Sequence, residues 1–144
     1  MRQNVFPPGL SRRVVAGNLL YAPVVHYVLG EHVIIFVSGL LSRDAEGNVV
    51  GAGDMGAQIA QVGENLATAL GSIGANLGDL VRTSTYVTDI DEFFLHTDVR
   101  KRYFGVALPT STTVEVRRLS DPAFMVEVEG FAIMPAARLI REPV

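Results

Sequence analysis

The sequence predicts an α+β protein in which a mixed sheet of six strands carries two helices on one of its faces. Short β-branched and aromatic runs alternate with two stretches of helical periodicity. Each helix connects strands of one sheet, so right-handed crossovers place both helices on the same side. The other face is left bare. In a chain that is 49% apolar, with a mean hydropathy of +0.31, that face is expected to pack against further copies of the chain, with pockets forming between subunits.

After a Pro- and Gly-rich start, Arg13-Val14-Val15 and Val24 to Leu29 read as early strands. The apolar β-branched run Val33 to Val37, closed by Ser38-Gly39, has the mark of a strand buried on both faces. Asp44-Ala45-Glu46-Gly47-Asn48 is turn chemistry. Asp54 then caps a helix in which Ile59, Val62, Leu66, Leu70 and Ile73 recur at helical spacing, ended by Gly74. Leu80 to Thr88 returns to strand composition. Asp89-Ile90-Asp91-Glu92 has capping-box spacing and opens a second helix to Phe104, with Leu95, Val99 and Tyr103 four residues apart. Gly105 and Pro109 stop that helix before the last two strands, around Val114 and Val128.

The 144 residues suffice for one well-filled core, and a single domain over 1–144 is expected. Net charge is −3 with no block of like charges, so nucleic acid is not an expected partner. No apolar run approaches bilayer length, and no membrane partner is expected either. The chain has no Cys, which excludes disulfides, a thiolate nucleophile and zinc–thiolate sites. No secretory apolar segment opens it, and a cytoplasmic location is expected.

The last strand carries the sharpest chemical signal. In Val126-Glu127-Val128-Glu129, side chains two apart share a face roughly 7 Å from one another, so the valines turn into packing and both carboxylates turn away from it. Two readings fit that spacing: a pair of acids in a pocket, or the polar side of a half-solvated strand.

Taken in order, these pieces resemble the YjgF/Rid family of small homotrimeric proteins, many of them enamine/imine deaminases. The matching residues are Tyr27 in His26-Tyr27-Val28, Val37-Ser38-Gly39, Gln58 and Asn65, Gly78-Asp79-Leu80-Val81, and Tyr86-Val87-Thr88-Asp89. Further on come Phe93, Tyr103-Phe104, Pro109, Val114-Glu115-Val116, Leu119, Val126 to Glu129 and Ala132. The resemblance implies a chorismate-mutase-like fold, a homotrimer whose three sheets form a central barrel, and one ligand cleft per subunit interface. It also implies roles. Glu129 falls where the family places an acid that positions the attacking water, and Tyr27 where a tyrosine contacts ligand. Ser38, Gly39 and Thr113 fall where main-chain groups orient the ligand. In deaminase members an arginine stands two residues after the strand's leading proline, and here that position is Ser111. A guanidinium clamps a substrate carboxylate with a rigid fork of donors, whereas a serine hydroxyl offers one uncharged bond. Strand parity makes Arg117 a better substitute than Arg118, although about 20 Å of strand separates it from Ser111.

Other motifs point to less. The three histidines, His26, His32 and His96, lack metal-ligand spacing, and neither a metal nor another cofactor is expected. His26 has two readings, as an acid or base lining the cleft or as a strand-edge residue. Ser111-Thr112-Thr113 has no nucleophile-elbow context. Gly51, Gly53 and Gly56 read as a surface loop and Tyr103-Phe104 as helix-face core. The expected function is small-metabolite binding with hydrolytic deamination of an enamine or imine, Glu129 aiding the water and Tyr27 and Ser111 contacting substrate. The rival is a trimer that binds a metabolite and has lost the reaction. The endoribonuclease label that the family also carries conflicts with the acidic charge balance.

Overall fold

The computed structural model describes residues 1–141, so the last three residues of the expected domain lie outside it. Its strands are β1 (Arg2–Val5), β2 (Val14–Val15), β3 (Asn18–Leu19), β4 (Val24–Leu29), β5 (His32–Leu40), β6 (Leu80–Val87), β7 (Thr110–Glu115) and β8 (Val126–Pro135). The helices are α1 (Met55–Gly71), α2 (Ile90–Leu95) and α3 (Thr97–Phe104). Six strands form one sheet in the order β1-β4-β5-β8-β6-β7, antiparallel throughout except for the parallel pair β6–β7. The C-terminal strand β8 inserts between β5 and β6, which puts its alternating Val/Glu run at the middle of the sheet.

Helix α1 forms where the sequence predicts it. The Asp54 carboxylate accepts from the Ala57 N–H, and Met55, Ile59, Val62, Leu66, Ala69 and Leu70 make one buried stripe. That stripe covers Val33, Ile35 and Val37 of β5 and Val126, Val128, Ala132 and Met134 of β8. Each fully buried aliphatic side chain contributes about 1.5–3 kcal/mol by leaving water. The chain turns away at Gly74, whose φ of +90° suits glycine and where a Cβ would overlap the Arg138 carbonyl.

Three elements depart from expectation. Arg13-Val14-Val15 does not join the sheet; Val14–Val15 pairs with Asn18–Leu19 in a separate hairpin through Ala16 and Gly17, both at positive φ. The sixth strand is instead Arg2–Val5, paired residue for residue with Val24–Tyr27. It is short and mostly exposed, so main-chain pairing holds it and no apolar pattern announces it. The expected second helix is broken at His96 (φ −97°, ψ 49°) into α2 and α3. The break lets Phe93 and Tyr103 both face the core while Leu95, expected in the same stripe, is 81% exposed.

Tyr103 locks α3 against α1. Its ring lies so close to Gly63 that any Cβ there would overlap it, and its hydroxyl donates to Glu64 Oε1 at 2.5 Å. Gly63→Ala is expected to destabilise the protein by about 1–3 kcal/mol through overpacking, outweighing the helix-propensity gain of about 1 kcal/mol. Thermal unfolding checks this, and an unchanged or raised midpoint refutes it.

Inward side chains of β8 alternate with Glu127, Glu129, Phe131 and Ile133 on the face that no helix covers. Phe36, Tyr27 and Ile133 on that face are each about 40% exposed. Both acids therefore share the open face, as their spacing predicts.

Candidate functional site

The site grows from an irregularity in β5. Val37 opposes Gly130 and Leu40 opposes Val128, so Ser38 and Gly39 together face Glu129 alone. Such a bulge bends the strand and frees a residue from the ladder. The Ser38 hydroxyl donates to the Ala22 carbonyl at 2.7 Å and ties the bulge to the segment entering β4. Gly39 has a steric reason to be glycine: a Cβ there would overlap the Glu127 carboxylate, which lies directly over the bulge.

The two acids have different surroundings. Glu127 is half-buried, and burial, reinforced by the nearby charge of Glu129, holds its carboxyl above the usual carboxylate range. Glu129 is exposed and accepts a hydrogen bond from the Tyr86 hydroxyl at 2.8 Å, which in turn raises that phenol. Beside Glu129 lies a recess of about 430 Å³ with Ser38, Ser84 and Arg82 as its other polar groups and Phe36 and Phe131 on its apolar side. The two rings meet edge to face with centroids 4.3 Å apart. Across the bulge is a second space of only about 60 Å³, lined in part by Arg13, Tyr21, Arg43 and Asn65. It has room for ordered water but not for a metabolite.

Ser38, Gly39 and Glu129 thus lie together, whereas three other residues do not join them within one protomer. Ser111 and Thr113 pair in register with Thr83 and Thr85, which are buried on the helix side, so the side chains of Ser111 and Thr113 leave the sheet away from Glu129. Thr112 projects onto the open face instead, and its hydroxyl accepts from the Arg82 guanidinium at 2.9 Å. The sequence could not reveal this parity, because Thr110 to Thr113 is a run of hydroxyl residues without apolar alternation. Tyr27 shares the open face but pairs through Ile34 with Ile133, four residues from Glu129 on β8. Two strand spacings across and four residues along put it roughly 16 Å away.

Arg117 stands two residues beyond the end of β7 and does not line the recess. His26 is buried on the helix side, and burial, with the amino terminus second, lowers its pKa. Its Nδ1 has no hydrogen-bond partner among the described residues. Arg82 is the site residue that sequence reasoning passed over; Glu127 was read as one of two acids sharing a face, without a role of its own. A signal for Arg82 existed: in Val81-Arg82-Thr83-Ser84-Thr85-Tyr86-Val87, inward Thr83, Thr85 and Val87 force Arg82, Ser84 and Tyr86 onto the acidic face. Among the described residues no three His, Asp or Glu side chains converge as a metal site requires, and no helix is long and apolar enough to cross a membrane.

A mixed six-stranded sheet with its helices on one side and a polar recess on the other defines a chorismate-mutase-like protein of the Rid type. Residues 18–134 match the family model for endoribonuclease L-PSP, and the chain belongs to that family, also called YjgF/Rid. A RutC family protein of Pyrococcus abyssi is 35% identical over 98 residues, covering 68% of this chain and 76% of that one. Among solved structures, TM0215 of Thermotoga maritima superposes with a TM-score of 0.78 at 28% identity, covering 94% of this chain and 100% of its own. Rv2704 of Mycobacterium tuberculosis, a member of the YjgF/YER057c/UK114 family, superposes with a TM-score of 0.68 at 29% identity, covering 93% and 100%.

Proposed function

We propose that this protein hydrolyses the imine or enamine form of a small metabolite in clefts completed by neighbouring copies of the chain. The observation that carries the reading is the pair of carboxylates on one floor, one half-buried with a raised pKa and one exposed, beside a strand bulge. Two acids with divergent environments are suited to different proton tasks. The reaction asks for little more. Protonation of the enamine β-carbon by Glu127 gives an iminium, water oriented by Glu129 adds to its carbon, one water proton passes to the nitrogen, and the C–N bond breaks to release ammonia while the remaining proton returns to Glu127. An imine and water become a carbonyl compound and ammonia. Holding a protonated imine beside an oriented water supplies most of the rate enhancement.

A homotrimer follows from the same reading. Phe36, Phe131 and Ile133 line an open sheet face whose burial another copy would provide, and Tyr27 on that face would come to the recess from a neighbouring copy. The cytoplasm is the location that fits a chain without cysteine. Ribonuclease action is disfavoured by the net charge of −3 and by two carboxylates where a phosphate backbone would lie.

The native chain is expected to accelerate loss of freshly generated 2-aminoacrylate and 2-iminobutyrate above the spontaneous rate. Failure to accelerate either would favour the second reading, a trimer that binds a metabolite without converting it, which the serine at position 111 supports.

A further inference from the structure

We infer that the protein has a second small-molecule site, on the helix side of the sheet, whose ligand is a compact aromatic hydroxy acid: its hydroxyl bonds the buried imidazole of His26 and its carboxylate meets Arg141 at the rim. The site is a pocket of about 620 Å³ where β1 and β4, the chain just after α1 and residues 139–141 come together. That volume falls within the roughly 300–1,000 Å³ common for small-molecule sites. The pocket and the Glu129 recess stand back to back: Val25 of β4 lines the recess, and the next residue, His26, lines the pocket from the opposite face. The two spaces share no lining residue.

Hydrogen bonds hold the pocket wall. The Ile140 N–H donates to the Ile73 carbonyl at 3.1 Å, and the Arg138 guanidinium donates to the Gly74 carbonyl at 3.0 Å while pairing with Asp79. Val5, Val28, Ile73, Leu139 and Ile140 give an apolar lining, which an aromatic body fills with few torsions to freeze. One polar group in that lining is left unsatisfied by the fold. His26 is only 2% exposed, and its Nδ1 has no hydrogen-bond partner among the described residues. A buried polar atom without a partner costs stability, and a ligand group that pairs with the ring removes that cost on binding. Burial lowers the imidazole pKa, so the ring is neutral at physiological pH. A neutral ring nitrogen donates or accepts according to tautomer, and a hydroxyl can do either. Ser72 does not supply that hydroxyl, because its own already donates to the Ala69 carbonyl at 2.7 Å. Charge sets the outer end of the ligand: Arg141 lines the pocket and is exposed, and no Asp or Glu lines it among the described residues, so an acid is favoured there.

The test is calorimetric titration of the full chain with 4-hydroxyphenylacetate, with phenylacetate, which lacks the hydroxyl, and with 4-methylphenol, which lacks the carboxylate. NMR of the three histidine rings is read beside it. 4-Hydroxyphenylacetate is expected to bind more tightly than phenylacetate by about fivefold or more, and to move the ring signals of His26 while leaving those of His32 and His96 in place. His26→Phe should reduce 4-hydroxyphenylacetate to the affinity of phenylacetate without changing phenylacetate itself. Arg141→Ala should weaken both acids by about threefold or more and leave 4-methylphenol unchanged. Glu129→Gln, in the recess across the sheet, should leave every affinity within about twofold. No binding of 4-hydroxyphenylacetate by the native chain overturns the inference. So does binding with the His26 signals unmoved, equal affinity for phenylacetate, or affinities indifferent to Arg141. Loss of binding in Glu129→Gln overturns it too, by assigning the ligand to the recess. The ring signals are read on the native chain, so they decide the matter even where His26→Phe does not fold.

Discussion

Glu127→Gln is expected to slow imine hydrolysis by about 100-fold or more, the usual loss when a positioned proton donor or acceptor is removed. The amide keeps the volume over Gly39 but cannot exchange a proton. The same substitution carries a stability signature. Burial, with the charge of Glu129 second, raises the Glu127 carboxyl in the folded chain. A group with a raised folded pKa contributes stability that is fully present below its unfolded pKa and lost as pH rises through the folded value. Once pH passes that folded value, ionised Glu127 is a liability. Glu127→Gln should melt above the native chain near pH 8, and the gap should close as pH falls below about 4, the ordinary range of an unfolded glutamate, where Glu127 is protonated in the folded and unfolded chain alike. Imine loss and thermal melts at the two pH values read both effects. Retained activity, or a gap that widens on acidification, refutes the assignment.

Gln58→Leu is expected to lower stability by about 3–5 kcal/mol, and the unfolding midpoint by about 10 °C or more. Gln58 is fully buried in α1. Its Nε2 donates to the Gly51 carbonyl at 3.1 Å and to the Ala123 carbonyl at 2.8 Å, while its Oε1 accepts from the Met125 N–H at 2.8 Å. Leucine fills nearly the same volume, so the loss comes from buried backbone groups left without partners, each worth about 1–3 kcal/mol. Because the segment Ala123–Met125 leads directly into β8, Glu127 should lose its fixed position, and activity should fall even in the fraction that stays folded. Denaturant titration measures the first effect, and a change below about 1 kcal/mol would show that water or rearrangement satisfies those groups. Asn65 does comparable work two helical turns along, donating to the carbonyls of Leu41 and Arg43 just after the bulge. Both residues entered the sequence reading only as part of a resemblance; the structure supplies their physical task.

What could be read from the chain alone was local and periodic. The alternation Val126-Glu127-Val128-Glu129 placed both acids on one face, the apolar run from Val33 located the strand under α1, and the stripe from Ile59 to Ile73 located the helix. Those signals survive because side-chain direction in a strand or helix depends on near neighbours in sequence. Elements held by main-chain pairing were silent: Arg2–Val5 has no apolar pattern, and its place beside β4 is a matter of hydrogen-bond register. The break at His96 was equally hidden, since Leu95, Val99 and Tyr103 satisfy helical spacing whether or not one helix carries them.

The sequence by itself thus determined the fold class, the face on which the acids stand and the absence of arginine at position 111. The tertiary structure alone decided that Glu127 is the half-buried acid, because its environment is made by a bulge in β5, some ninety residues away in the chain. It also decided that Ser111 faces the helices while Arg82 faces the recess, because parallel pairing with β6 sets the parity of a strand whose own residues have no preference between its two sides.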